Sequence, residues 1–175
     1  MKNTFKIAFC AVISALSVVF MFLTGIIPIG TYALPCIAGA VLCAVVIECG
    51  YPAAFSVYIV SSVLSFFIAG DKEAVLYYAL FLGYYPVLKG LIEKIRYTIL
   101  QWIFKYCVFN VSMVACFYLG TYILSIPKES YVVFGVYLPW AFLIAGNVIF
   151  AVYDLCLTRI ITIYVNIVRK KLKFK

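Results

Sequence analysis

The sequence of 175 residues contains no histidine. This absence excludes histidine-based acid–base catalysis, the Ser-His-Asp triad and zinc sites with histidine ligands. No two of its seven cysteines have the spacing C-x-x-C, so neither a redox pair nor a zinc ribbon is indicated. We therefore expect no metal ion and no cofactor.

Charged residues are scarce. They make up 11% of the chain, and 67% of the residues are apolar, whereas a soluble domain has about 25% charged and about 45–50% apolar residues. The mean hydropathy is +1.16. A soluble fold of this length has too little interior to bury so much apolar surface, and a disordered chain has a polar composition. The sequence predicts an integral membrane protein with a single domain over residues 1–175.

Motifs for catalysis are also missing from the sequence. It has no glycine-rich loop of the kind that holds phosphate, so we expect that the chain does not itself hydrolyse ATP. It has no run of paired carboxylates that would hold Mg²⁺ for a phosphotransferase. The only aspartate within an apolar run is Asp154, which excludes a two-aspartate intramembrane protease. We predict that the protein is not an enzyme.

Long apolar runs are what the sequence does have. About 20 apolar residues are needed to span the bilayer as a helix, and these runs lack the alternation of barrel strands. We predict an all-α protein with six transmembrane helices in one bundle, the fourth interrupted by Gly83 and Pro86. The predicted segments are Ile7–Ile27, Tyr32–Cys49, Ala53–Ala69, Ala74–Ile92, Ile99–Leu124 and Pro139–Val168.

Basic residues are distributed unevenly between the two sides of this topology. Six spans place both termini on one side, and all but two of the fourteen Lys and Arg residues fall on or near it. The exceptions are Lys72 and Lys128. Because cytoplasmic loops carry the excess of basic residues, both termini are predicted to be cytoplasmic. The basic tail at about 169–175 would then lie on anionic headgroups, and it is too small a surface to suggest nucleic-acid binding.

Four charged residues lie within the predicted spans: Glu48, Lys89, Lys105 and Asp154. The helical rise places all four in the cytoplasmic third of the bilayer, as a layer of two positive and two negative charges. A charge at this depth costs about 2.5–3.5 kcal/mol on insertion scales, which favours pairing or snorkelling. The sequence favours structural ion pairs. A proton or ion relay and a contact layer for a cytoplasmic partner remain open alternatives.

The outer halves of the predicted spans carry aromatic and amide side chains rather than charges. They provide six candidate substrate-binding residues: Tyr84, Asn110, Tyr118, Tyr122, Trp140 and Asn147. The two amides are predicted near mid-bilayer, where they either bond to each other or face a ligand. The aromatic residues near helix ends are also typical of an interfacial belt.

Small residues line one face of the first predicted helix at Ala8, Ala11 and Ala15, with Ser14 beside them. Such faces allow close approach of a second helix. Together with the six-helix topology, this pattern resembles the substrate-binding S component of an energy-coupling factor (ECF) transporter. The segment from Phe81 to Lys89, FLGYYPVLK, is similar to one in uncharacterised members of that family.

The resemblance implies a function and partners. In that family an Ala-x-x-x-Ala motif on the first helix docks a coupling membrane protein that works with two ATPase subunits, which assigns partner docking to Ala8, Ala11 and Ala15. It implies capture of a vitamin or other micronutrient in an outward-facing pocket of a prokaryotic plasma-membrane protein. The alternatives are a non-transport six-helix scaffold of a cell-envelope complex and a small secondary transporter.

Overall fold

The computed structural model describes residues 3–27, 30–122, 132–133, 136–137 and 139–168, with side chains for residues 4–27, 30–122 and 143–167. The basic tail predicted at about 169–175 lies outside the described residues. The helices are α1 (Asn3–Leu23), α2 (Gly30–Cys49), α3 (Tyr51–Ile68), α4 (Lys72–Tyr77), α5 (Tyr85–Ile92), α6 (Thr98–Tyr122) and α7 (Pro139–Ile163). Two π-helical segments, Tyr78–Leu82 and Tyr164–Val168, follow α4 and α7 respectively.

Six helical stretches of the described chain are long and apolar enough to cross a membrane. This confirms the prediction of a helical protein with six helices of membrane-spanning length and composition, which we call spans. The fourth span, Lys72–Ile92, combines α4, the π-helical turn and α5. A two-residue antiparallel pair, β1 (Val132–Val133) with β2 (Val136–Tyr137), was not predicted.

The spans run alternately up and down, as contacts between helix ends show. The Cys49 thiol at the end of α2 contacts the Lys6 carbonyl near the start of α1 at 4.0 Å. At the other end, the Thr31 hydroxyl donates to an Asp71 carboxylate oxygen at 2.7 Å, which joins the start of α2 to the start of span 4. We call the end that contains Lys6 and Cys49 the basic end, and the end that contains Thr31 and Asp71 the opposite end.

The core forms where small and hydroxyl-bearing side chains let helices approach. α1 packs against α2 and α3, and α2 also contacts span 4 and α7. Ser17 of α1 is fully buried and donates to the Ala38 carbonyl of α2 at 3.1 Å. Ser61 of α3 lies 2.7 Å from the Tyr78 hydroxyl. These bonds satisfy hydroxyl groups that would otherwise be costly to bury in an apolar bundle.

Span 4 is broken near its middle, which confirms the interruption predicted at Gly83 and Pro86. Because Pro86 has no N–H, the carbonyl of Leu82 loses the donor that a continuous α-helix would supply. The chain before it widens into a π-helical turn, in which the Gly83 N–H donates to the Tyr78 carbonyl at 2.8 Å. Asp71 caps the start of the span, because its side chain accepts from the Ala74 N–H at 3.1 Å.

Replacing Gly83 by alanine tests this close packing. An added Cβ would lie 2.7 Å from the Tyr58 ring, which is itself held by a 2.5 Å hydrogen bond to the Ala79 carbonyl. We expect Gly83→Ala to lower stability by about 1–3 kcal/mol, because overpacking displaces a fixed side chain. Gly70→Ala is the matched control, since its Cβ would meet only ordinary contacts at 3.5 Å. Equal thermal midpoints for the two variants in detergent would contradict this packing.

Candidate functional site

A closed ring of four charges lies towards the basic end of the bundle. Lys89 Nζ is 2.6 Å from both Asp154 Oδ1 and Glu93 Oε1. Lys105 Nζ lies 2.9 Å from Asp154 Oδ2 and 2.8 Å from Glu93 Oε1. Each lysine therefore bridges both carboxylates, and each carboxylate bridges both lysines. We call these four residues the charge ring.

Three helices supply the charge ring. Tyr85, Lys89 and Glu93 are spaced four residues apart, so they project from one face at the end of span 4. Lys105 comes from α6 and Asp154 from α7. The Tyr85 hydroxyl completes the site by donating to Asp154 Oδ1 at 2.6 Å. The arrangement thus joins the last three spans.

Most of the charge ring is buried, so its positive and negative charges must balance. The side chain of Lys89 is 0% exposed and that of Asp154 3%, whereas Glu93 is 37% exposed. In a low-dielectric interior an isolated ammonium or carboxylate is strongly unfavourable, so opposite charges must neutralise one another. The ring contains two charges of each sign and is formally neutral. Glu93 is the member through which it reaches the surface.

The ring includes three of the four residues of the predicted charge layer. Glu48 is not a member of it. Glu93 and Tyr85 are members that sequence reasoning missed, since Glu93 was placed outside the apolar runs. The signal that identifies them is the spacing of four residues from Lys89 on either side, which places all three on one helical face.

Aromatic side chains fill the bundle next to the charge ring. The Phe81 ring lies 4.8 Å from Tyr85, 5.3 Å from Phe109 and 5.6 Å from Phe150, measured between centroids. Phe109 and Phe150 stack at 4.7 Å. All four are almost fully buried. This aromatic core leaves the centre of the described bundle packed rather than hollow.

Asn110 of α6 and Asn147 of α7 bond to each other. The two amides exchange N–H···O bonds of 2.9 and 3.1 Å. Each also donates its second N–H to the carbonyl four residues earlier on its own helix, Tyr106 for Asn110 and Leu143 for Asn147, at 2.8 Å. All four amide N–H groups are thus satisfied inside the bundle, which is the first of the two alternatives that the sequence left open.

The predicted aromatic binding residues do not form one group. Tyr84 lies with its hydroxyl 2.7 Å from Ser112 Oγ and its ring against Tyr58. Tyr118 and Tyr122 stack on each other on the surface of α6, where they are 55% and 76% exposed. The side chain of Trp140 lies outside the described residues.

Two adjoining cavities of about 310 and 190 Å³ lie between α2 and its neighbours α1 and α7. Their walls are apolar, and both include Ala40 and Ile160. None of the five predicted binding residues whose side chains are described lines either cavity. Within the described ranges, no group of three or more Cys, Asp or Glu side chains is placed to hold a metal ion.

The alanines of α1 point away from the bundle. Ala8, Ala11 and Ala15 are all exposed, whereas Ser14 and Ser17 are buried against the neighbouring helices. The small-residue face is therefore available to a partner in the membrane.

Comparison with known proteins found no matching family model, no matching curated protein and no matching solved structure.

Charge balance in the ring is testable by mutation. Asp154→Leu leaves two buried lysines facing one carboxylate, and we expect it to lower stability by about 3–5 kcal/mol. Adding Lys89→Met restores a balanced Lys105–Glu93 pair, so the double variant should recover at least half of that loss. Chemical unfolding in detergent measures both. A double variant less stable than Asp154→Leu alone would show that charge balance is not what holds the ring.

The amide pair gives a second mutational prediction. Either Asn110→Leu or Asn147→Leu leaves one partly buried amide without its partner and should lower stability by about 1–2 kcal/mol. The double variant should lose no more than the worse single variant, because no buried amide then remains unpaired. Asn166→Leu, at an exposed position, is the control. Additive losses in the unfolding midpoints would argue against a direct pair.

Proposed function

We propose that the protein is the substrate-capture subunit of an ECF-type importer. It would bind a micronutrient on the outer side of a prokaryotic plasma membrane and depend on a coupling membrane protein and two ATPase subunits for energy. The proposal combines the family resemblance of the sequence with the exposure of the first helix.

The exposed alanine face is the observation that carries this proposal. α1 packs through its serine-bearing face and leaves Ala8, Ala11 and Ala15 open along the half nearest the basic end. Helices associate in membranes by van der Waals packing, for which small side chains allow the closest backbone approach. A face of this kind, open and without a partner helix within the described bundle, suits a coupling protein in the same membrane.

We place the basic end in the cytoplasm, with both termini on that side. The distribution of Lys and Arg supports this orientation. It puts the charge ring near the inner boundary, with Glu93 towards the cytosol. The alanine face then lies in the inner leaflet, within reach of a coupling protein that contacts cytoplasmic ATPases.

The substrate would bind above the packed centre of the bundle. The aromatic core and the Asn110–Asn147 pair fill the middle, so a ligand entering from outside would be stopped at their level. Apart from Asp71, Lys72 and Glu73 at the start of span 4, the outer halves carry tyrosines and no charge, which favours a neutral or aromatic solute. A charged solute would instead require the charged groups at that end, such as Lys72.

A non-transport scaffold of a cell-envelope complex is the second candidate. The observation that favours it is the packed interior: the described cavities open between α1, α2 and α7 rather than at the opposite end. Such a scaffold would use the alanine face for a permanent partner and would bind no solute.

Docking of the coupling protein on α1 is tested by replacing alanines of its exposed face with larger side chains. In cells that also express the coupling protein and ATPases of the same genome, Ala11→Trp and Ala15→Trp should reduce co-purification at least tenfold, because bulk blocks close helix approach. Ile149→Trp is the control, since Ile149 is 67% exposed on α7 and lies away from that face. Undiminished co-purification of the alanine variants would remove the docking assignment.

Mass spectrometry of small molecules that co-purify with the detergent-solubilised protein separates the two candidates. The transport proposal predicts one enriched solute that is lost after exchange into solute-free buffer and regained from a growth-medium extract. The scaffold predicts no enriched solute other than lipid.

A further inference from the structure

Two polar groups without hydrogen bonds lie beside Gly39, near the break in span 4. The Leu82 carbonyl lacks its helical donor because residue 86 is proline, and no described donor replaces it. The Tyr153 hydroxyl of α7 is buried and has no hydrogen-bond partner among the described residues. One group accepts and the other donates.

Gly39 of α2 lies between these two groups. A Cβ built on Gly39 would fall 2.1 Å from the Leu82 oxygen and 3.5 Å from the Tyr153 hydroxyl. Any larger residue at this position would therefore press on the carbonyl and fill the space beside the hydroxyl. Glycine leaves the acceptor and the donor close to one another with no side chain between them.

The two groups belong to parts of the bundle that are fixed differently. Tyr153 directly precedes Asp154, whose ion pairs and bond to Tyr85 fix α7 to the second half of span 4, Tyr85–Ile92. The Tyr51 hydroxyl also holds this half, through the Gly90 carbonyl at 2.9 Å. Leu82, by contrast, ends the first half of the span, Lys72–Leu82.

The hydrogen bonds of the first half of span 4 go to other helices, and its contact with α7 is apolar, through the Phe81 ring 5.6 Å from Phe150. Asp71 at its start accepts from Thr31 of α2, and Tyr78 bonds to Ser61 of α3. Thr31 precedes Pro35, a proline inside α2, so this anchoring point is itself separated from the rest of α2 by a weakened turn. The π-helical turn and Pro86 separate the two halves of span 4 in the same way.

We propose that the break between Leu82 and Pro86 is a hinge with two states. The structure is the state in which both polar groups are unpaired. In the second state the first half of span 4 moves against α7, and the Tyr153 hydroxyl donates a hydrogen bond to the Leu82 carbonyl. Buried polar groups without partners cost free energy, so a bond between them favours the second state, whereas the packing contacts that the movement breaks favour the first. The charge ring keeps the other half of the span in place during this movement.

The hinge is tested by spin-label distance measurements on the chain alone in liposomes. One label occupies the native exposed Cys156 of α7, and the other a cysteine introduced by Lys72→Cys at the exposed start of the first half of span 4, with the other six cysteines replaced by alanine. We expect two distance populations. Tyr153→Phe removes the donor of the second state and should lower its ratio to the first about two- to tenfold.

Two further variants control this experiment. Pro86→Ala supplies the missing N–H to Leu82 and should also deplete the second population. Tyr106→Phe removes a hydroxyl from a ring in the same aromatic core, 5.4 Å from Phe150, and should leave the ratio unchanged. Tyr153→Phe should also be at least as stable to heat as the parent protein, because it removes an unpaired buried hydroxyl.

A single distance population would overturn the hinge, as would two populations whose ratio does not respond to Tyr153→Phe. A marked loss of heat stability in Tyr153→Phe would show that the hydroxyl is already paired, and would also overturn it. The experiment requires neither substrate nor coupling protein, so its outcome is independent of the docking assignment on α1.

Discussion

Each charged or amide side chain that projects into the bundle must be paired within the protein. This constraint determines how the C-terminal half of the bundle is held together. Hydrocarbon offers no hydrogen bonds, so the cost of burying Lys89, Lys105 and Asp154 is offset by their mutual pairing, by Glu93 and by the Tyr85 hydroxyl. Asn110 and Asn147 follow the same rule. The result is that span 4, α6 and α7 are tied together by polar bonds.

The N-terminal half is built differently. α1, α2 and α3 approach through alanine, glycine and serine, and they are joined by single hydroxyl bonds such as that of Ser17. Their outer faces remain free, and the alanines of α1 lie on such a face. The second half of span 4, α6 and α7 thus form a fixed polar frame, and the N-terminal half offers a surface for a partner. The proposed capture subunit would use this surface to dock its coupling protein.

The sequence was sufficient to predict the spans and the break in span 4, because hydropathy and proline act locally along the chain. It also predicted that buried charges pair. It did not predict Glu93 as a member of the ring, since membership depends on how α5, α6 and α7 are arranged rather than on the apolar run that contains each residue. The separation of Tyr118 and Tyr122 from Tyr84 has the same cause: similar depth along a helix does not specify which face turns inwards. The close approach of Gly39 to the Leu82 carbonyl and the Tyr153 hydroxyl involves three distant segments of the chain, so no local sequence pattern predicts it.

We propose that this chain captures a solute but supplies no energy, and transport in proteoliposomes is the decisive measurement. Vesicles with the chain alone under a proton gradient are compared with vesicles that also contain the coupling protein and ATPases, supplied with ATP, using a growth-medium extract analysed by mass spectrometry. The account predicts accumulation of a solute only in the second case and only with ATP. Gradient-driven accumulation by the chain alone would contradict it and would make the charge ring a relay.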